Sequence, residues 1–590
     1  MIKILFANLF AFSALTGSAQ YYLRGEIKDE KDQGLQNVKI FLHSSRLLYS
    51  SGTSGGFGIT TNTLRDSVTF NLQGYEPKTV AINASVYQTV ILKALSKGVT
   101  RQKQNLLSIT KNSDPSNGKT WFVAAESYNS IVENAFIKTA EFANTSFALR
   151  VDKASYSNIR RFLNQGSMVP PYAVRIEEML NYFNLNYKEP AKDSVFNFES
   201  QLTSCPWNAA HQLLYLNLSA KKIDLQKVPQ GNFVFLIDVS GSMDIPNRLP
   251  LLKAAFQLLV KNLREQDTVS IVVYGGSVGV WLEPTGGNEK QKIIKAIEEL
   301  TAGGDTPGEA AVKTAYALAR NSFSKKGNNR IILATDGDFN VGEVNEKALE
   351  EMIIKESRSG IFLTCLGVGM GNYKDSKIET LSRNGNGNFA YIDDIREAEK
   401  VLVTEFTQTL FTVANDVFLN MQFNPQKVKE YRLIGYDNKA GVLADTSIDL
   451  EGGEIGSGNG ITAVFEILPN TDSVFGDSSD EVAKAILNYR KQGDTISKKV
   501  TYLCDNNFKP LRDINKDLQF ATAVTMFGLV IRESANIPFI ELIDIENLGI
   551  TAANKDDYLQ NEFLQLVAKA KVIYPKKKKK KLPKGNLRIN

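Results

Sequence analysis

Residues 233–243 read FVFLIDVSGSM, and the rest of the chain is organised around this stretch. Phe233, Val234, Phe235, Leu236 and Ile237 form a continuous apolar run, the pattern of a strand buried on both faces of a parallel sheet. The run stops at Asp238. From there Asp238, Ser240 and Ser242 alternate with Val239 and Gly241, so a tight turn after the strand can present one carboxylate and two hydroxyls toward a common point. Three hard oxygen donors converging there suit Mg²⁺ or Mn²⁺ rather than a soft metal. A helix N-cap followed by turn serines is the competing reading of the same residues.

Two later stretches favour the metal. Residues 302–308, AGGDTPG, make a glycine-rich loop carrying Thr306, with Pro307 well placed as the first residue of a following helix. Residues 330–341, RIILATDGDFNV, are a second buried strand ending in Asp336. Three separate loops then each offer an oxygen ligand. This arrangement resembles the metal-ion-dependent adhesion site of the von Willebrand factor type A family, in which Asp-x-Ser-x-Ser, a distant Thr and a distant Asp surround one divalent cation. Matched residue by residue, Asp238, Ser240, Ser242, Thr306 and Asp336 fill the five positions.

The resemblance implies that the two serines bind the metal directly, and that Thr306, Asp238 and Asp336 bind directly or through water. One coordination position is left for a ligand oxygen, typically a carboxylate of a partner protein. Hydroxyl donors suit that task, because too many anionic ligands would quench the cation's attraction for an incoming Glu or Asp. Asp305 and Asp338 lie near the loops and are read as turn or supporting groups. In the family, metal binding can be coupled to a shift of the last helix, here around residues 395–411.

Around this centre, residues 232–414 alternate strand and helix patterns as a doubly wound α/β domain should. Helices are predicted over 247–263, 289–300, up to Ala319, near 347–357 and, as the last helix, around 395–411, and strands over 268–274, 278–282, up to Thr335 and 361–368; the segments 376–383 and 389–392 help to close the fold. Open sheets of this kind bind ligands at the carboxyl edge of their strands, where the three metal loops all fall.

At 590 residues, 43% apolar and 23% charged, the chain has the composition of a multidomain globular protein. The formal net charge is +5, but lysines 576–581 alone supply six positive charges, so the basic balance belongs to the tail and gives no case for nucleic-acid binding. Residues 1–19 combine Lys3, an apolar stretch and a Gly17-Ser18-Ala19 end, the pattern of a signal peptide cleaved near Ala19; an uncleaved membrane anchor is the alternative. The expected location is therefore periplasmic, envelope-associated or secreted. Cys365 lies in the apolar run IFLTCLGVG and reads as a buried thiol, whereas Cys205 and Cys504 could pair after export.

Residues 22–93 show short β-runs between turn residues and resemble the carboxypeptidase regulatory-like β-sandwich, with Gly25, Gly34, Asn37-Val38, Gly55 to Phe57 and Gly74-Tyr75 as landmarks. Gly52-Thr53-Ser54-Gly55-Gly56 matches a nucleophile elbow formally, but without a strand-turn-helix context it reads as a β-turn. Residues 94–139 are polar and read as a linker; Gly118-Lys119-Thr120 is no phosphate loop, since Ser113 stands where its first glycine should be. The segment 140–231 resembles the part that precedes the type A domain in a family of bacterial von Willebrand factor proteins. It contains helices over 156–163 and 174–183, and its Arg160, Arg161, Arg175, Glu177 and Glu178 make either a charged helix surface or interdomain ion pairs.

Beyond Asn415 the pattern becomes alternating β, so a β-sandwich is expected against the α/β domain, open to completion by strands from before Asn232. Helices follow over 517–534 and 555–571, and residues 415–574 also resemble the end domain of the same bacterial family. The lysine-rich tail, 575–590, reads first as a solvated tail, with a weak contact to anionic lipid or polymer of the envelope as the alternative.

The fold class expected is thus multidomain: an N-terminal β-sandwich, a central doubly wound α/β domain of the type A kind, a flanking β-sandwich and C-terminal helices. The functional expectation is an exported binding protein, not an enzyme, that engages a protein partner's Asp or Glu through Mg²⁺ or Mn²⁺. A structural scaffold whose metal only stabilises the fold is the second reading. A metal-assisted hydrolase is the third, disfavoured because His43 and His211 are the only histidines and neither lies in the metal loops.

Overall fold

The computed structural model describes residues 21–93 and 121–574, except 46, 73–74, 124–125, 151, 225–227, 276, 305–307, 338–345, 372, 437–438, 441–451, 472–479, 492–493, 495 and 538–539. The expected signal peptide, the centre of the expected linker and the lysine tail therefore lie outside the described residues. Two compact units divide the chain near residue 104.

The second unit is built on a six-stranded sheet. Its elements are β1 (Gly231–Asp238), α1 (Leu249–Asn262), β2 (Thr268–Gly275), β3 (Ser277–Gly286), α2 (Lys290–Glu298), α3 (Gly308–Asn321), β4 (Asn328–Thr335), α4 (Glu346–Arg358), β5 (Ile361–Val368), α5 (Asp375–Asn384) and β6 (Phe389–Ile392). The strand order is β3-β2-β1-β4-β5-β6, parallel throughout except for β3 against β2. The apolar run of β1 explains why this strand is central. Phe233, Phe235 and Ile237 enter one core with Leu252, Phe256 and Leu259 of α1 and Ile293 of α2, while Val234 and Leu236 enter another with Val312, Ala315 and Ala319 of α3. Period-2 alternation thus feeds two helix layers, and every residue of β1, β4 and β5 is buried.

After β6 the sequence pattern predicts one helix over 395–411. The structure divides it into Ile395–Glu399, a π-helical turn at Lys400–Thr404 and Phe406–Leu410. Lys400 reaches over the Tyr182 ring, 4.1 Å from its centroid, and bonds Glu405 at 2.8 Å.

Strands from before and after the α/β domain share two sheets. One has the order 137–138, 428–434, 460–469, 212–220, 196–204 and 508–509. The other orders 439–440, 144–148, 412–423, 481–491 and 497–505, with 453–456 added on 412–423. Leu214, Leu216, Leu419, Met421, Phe465 and Leu487 belong to the core they enclose. The α/β domain is therefore an insertion between strands Gln212–Ala220 and Thr412–Phe423 of a β-structure.

A fourth core joins helices Ala154–Asn164, Ile176–Asn181, Lys516–Ile531, Leu542–Ala552 and Tyr558–Ile573. The helix at Lys516–Ile531 is apolar on nearly all sides and is buried accordingly. Leu542–Ala552 is a helix that the sequence reading lacked. Part of the expected linker is also built into this unit: Glu126, Ser127 and Tyr128 are buried, and Ile137–Lys138 pairs with Val428–Ile434.

Arg160, Arg161 and Arg175, left open as surface or interdomain charges, are buried ion-pair centres. Arg160 binds Asp393, Glu397 and Glu562; Arg161 binds Glu126; Arg175 binds Glu178 and Asp375. Arg160 and Arg175 fasten the α/β domain to the helices before it, and Arg161 ties its helix to the segment at Glu126. Cys205, Cys365 and Cys504 are all free and buried, so the Cys205–Cys504 pairing is not formed; Cys205 sits in the helical core and Cys504 in the β core.

In the first unit, strands 56–61, 21–28 and 88–91 form one sheet and 47–50, 39–42, 65–71 and 78–83 another, around Leu23, Ile27, Val38, Ile40, Val68 and Phe70. The Gly52–Gly56 stretch is a turn closed by Gly55 N to Gly52 O at 2.9 Å and leads into a strand, not a helix. Among the described residues, no helix is long and apolar enough to cross a membrane.

Candidate metal centre

The centre is fixed by where β1 and β4 end. These neighbours pair in parallel up to Ile237 and Ala334, and their chains then leave toward opposite helix layers, α1 on one face and α4 on the other. A crevice opens at such a switch in strand order. Asp238 is the last residue of β1 and Asp336 the first after β4, so the sheet register itself places both carboxylates at one point.

Asp238 is fully buried. It accepts hydrogen bonds from Ser240 N at 2.9 Å and from Thr335 Oγ1 at 2.9 Å. The Ser240 and Ser242 hydroxyls lie 3.2 Å apart, and Ser242 Oγ donates to Asp336 Oδ2 at 2.9 Å. Burial pushes the Asp238 carboxyl up to about 6, opposed by the bonds from Ser240 and assisted by the nearby charge of Asp336. The glycine-rich loop is stitched to the first loop by Gly303 N to Val239 O at 2.7 Å and Gly241 N to Gly304 O at 3.0 Å. Thr306 lies outside the described residues, as do Asp305 and Asp338. Four of the five predicted ligands, Asp238, Ser240, Ser242 and Asp336, are brought together.

Arg248 was missed by sequence reasoning. Its Nη1 donates to Asp336 Oδ2 at 2.5 Å and to Ser242 O at 2.8 Å, and its Nη2 donates to Met370 O at 3.0 Å. It stands just before α1 with Pro250 two positions on, and the sequence signal was only a basic residue near that helix start.

Among the described residues, no group of three or more His, Cys, Asp or Glu side chains is placed to hold a metal. The donor set here is instead two carboxylates and serine hydroxyls, all oxygen, which fits a hard cation such as Mg²⁺ or Mn²⁺. The histidines lie elsewhere: His43 Nε2 meets Thr69 Oγ1 at 2.8 Å, and His211 Nδ1 meets Glu466 Oε1 at 2.6 Å. Burial raises the Cys205 thiol to about 12, which keeps it from acting as a thiolate.

Three family models match the chain: von Willebrand factor over residues 123–215, von Willebrand factor type A domain over 233–338, and Uncharacterized protein YfbK, C-terminal, over 408–573. Uncharacterized protein YfbK of Escherichia coli (strain K12) is 37% identical over 463 residues, 75% of this chain and 80% of that protein. Inter-alpha-trypsin inhibitor heavy chain H2 of Mesocricetus auratus is 27% identical over 209 residues, 34% of this chain and 21% of that protein. Of solved structures, von Willebrand factor type A from Catenulispora acidiphila aligns at 14% identity with a TM-score of 0.37, over 66% of this chain and 98% of that one. On the extent and identity of the match to the Escherichia coli protein, this chain belongs to the YfbK family of bacterial von Willebrand factor type A domain proteins.

Proposed function

We propose that this protein is an exported binding protein that engages a protein partner's Asp or Glu through Mg²⁺ or Mn²⁺ at the carboxyl edge of the α/β sheet. The observation that carries the reading is the convergence of Asp238, Ser240, Ser242 and Asp336 at the β1/β4 switch, linked at 2.9–3.2 Å. These four, with Thr306, would hold the cation. When bound, the cation supplies a Lewis-acidic position for an incoming carboxylate oxygen. Desolvation of Asp238 favours a site that gains a positive charge.

The first unit serves in this reading as a carboxypeptidase regulatory-like spacer, residues 1–19 as an export signal, and lysines 576–581 as a weak envelope contact. Catalysis forms no part of the role. The scaffold reading has one observation in its favour: Arg248 already supplies Asp336 with a positive partner, so the loops are cross-linked by protein atoms alone. The test is titration with Mn²⁺ followed by an acidic peptide, repeated with chelator. Metal-dependent peptide binding supports the binding role; metal uptake without any carboxylate binding favours the scaffold.

A further inference from the structure

We propose that Arg248 is a built-in counter-cation for Asp336 and thereby sets how tightly the metal centre holds its divalent ion. The inference rests on the cation reading of this site. Arg248 is only 6% exposed, and its guanidinium is committed to Asp336, to the carbonyl of Ser242 and to that of Met370. Bonds of 2.9 and 2.5 Å meet on Asp336 Oδ2, so Nη1 lies within about 5.4 Å of the Ser242 hydroxyl. The two carboxylates are served differently. Asp238 takes its bonds from neutral donors, Ser240 N and the Thr335 hydroxyl, whereas Asp336 takes one from a full positive charge.

The fold makes room for this arginine. Gly369 has φ +85°, and a Cβ there would lie 2.5 Å from Arg248 Nε. Arg248 Nε is itself buried without a hydrogen-bond partner, so the side chain is held by its two terminal nitrogens. That arrangement favours the ion pair with Asp336 over full satisfaction of the guanidinium.

With both carboxylates ionised, Asp238, Asp336 and Arg248 together carry one net negative charge instead of two. A neighbouring guanidinium repels the divalent ion and attracts an anionic ligand. The centre is thereby tuned to hold its cation loosely and to favour the state in which a partner's carboxylate is also present.

The experiment is calorimetric titration of Mn²⁺ into the metal-free protein, its Arg248→Met variant and its Arg248→Lys variant. Methionine keeps much of the stem while removing the charge, and lysine keeps the charge. Arg248→Met is expected to bind Mn²⁺ at least about tenfold more tightly than the parent, and Arg248→Lys within about threefold of it. Thermal unfolding in chelator gives the second readout. Arg248→Met lowers the midpoint, and adding Asp336→Asn restores part of the loss, because a neutral amide needs no counter-charge. Binding by the parent with no gain in Arg248→Met, or strictly additive losses in the thermal cycle, overturns the inference alone. Absence of binding in all three proteins overturns the cation site together with Arg248's control of it.

Discussion

Replacing Arg160 by methionine should loosen the α/β domain from the helices that flank it. Arg160 Nη2 bonds Asp393 Oδ1 at 2.5 Å and Glu397 Oε2 at 2.7 Å; Nη1 bonds Glu562 Oε1 at 2.9 Å and the Tyr182 hydroxyl at 3.1 Å. All three carboxylates are buried, so the variant strands them without their shared positive partner. Breaking a buried pair in this way costs about 3–5 kcal/mol. The cost carries a pH signature. Burial pushes Asp393 up to about 6 against the lowering effect of Arg160, with Glu397 adding to the rise. Removing the arginine lets it climb further. A carboxyl whose folded value exceeds its unfolded one holds an extra proton in the folded state between the two values, so stability is highest below the unfolded value and falls as pH rises through the folded one. Each additional unit of rise adds about 1.4 kcal/mol to the cost at pH 8. Denaturant unfolding of Arg160→Met at pH 5 and pH 8 is therefore expected to give a deficit that is larger at pH 8. A deficit below about 1 kcal/mol at pH 8, or one that grows toward pH 5, would refute the buried-network account.

Gly369→Ala should destabilise the protein by about 1–3 kcal/mol, since its left-handed backbone and the 2.5 Å approach to Arg248 both resist a Cβ; thermal unfolding checks this, and a neutral result contradicts the packing of Arg248. All three cysteines are buried and free, with Cys205 and Cys504 each pushed up to about 12, so a thiol reagent should find no reactive group in the native protein and three after denaturation. Two reactive thiols after denaturation without reductant's having been added would point instead to a modified cysteine, and one to a disulfide. Arg330→Met should cost about 3–5 kcal/mol, because it strands the buried Glu454 carboxylate 2.6 Å away on strand Gly453–Gly456, which is added on Thr412–Phe423; a loss under about 1 kcal/mol would show that the pair does not tie these parts together.

The central strand and the placing of Asp238 and Asp336 at the ends of neighbouring strands were legible because apolar runs, and the points where they stop, are local patterns. A short apolar run such as 233–237, rich in Phe, Val and Ile, suits a strand covered on both faces, and Asp238 and Asp336 stand where such runs stop. What local patterns could not carry was pairing across the chain. Arg248 reads as a helix-start residue until the fold brings Asp336 beside it, and the choice between surface and interdomain roles for Arg160 depends on partners 233 to 402 positions away. The helix Leu542–Ala552 was missed for a related reason. Its sequence, LIDIENLGITA, has a modest helical signal interrupted by Gly549, yet that glycine allows Leu564 to approach within 2.7 Å of where a Cβ would stand. Tertiary packing overrides propensity there.

The most direct test of the metal centre is calorimetric titration of Mg²⁺ and Mn²⁺ into metal-free protein lacking residues 1–19, with Asp238→Ala and Ser240→Ala as controls. Saturable one-site binding that both substitutions abolish is the predicted result. No binding to the folded parent protein, or binding that survives both substitutions, would contradict a cation held at the β1/β4 switch.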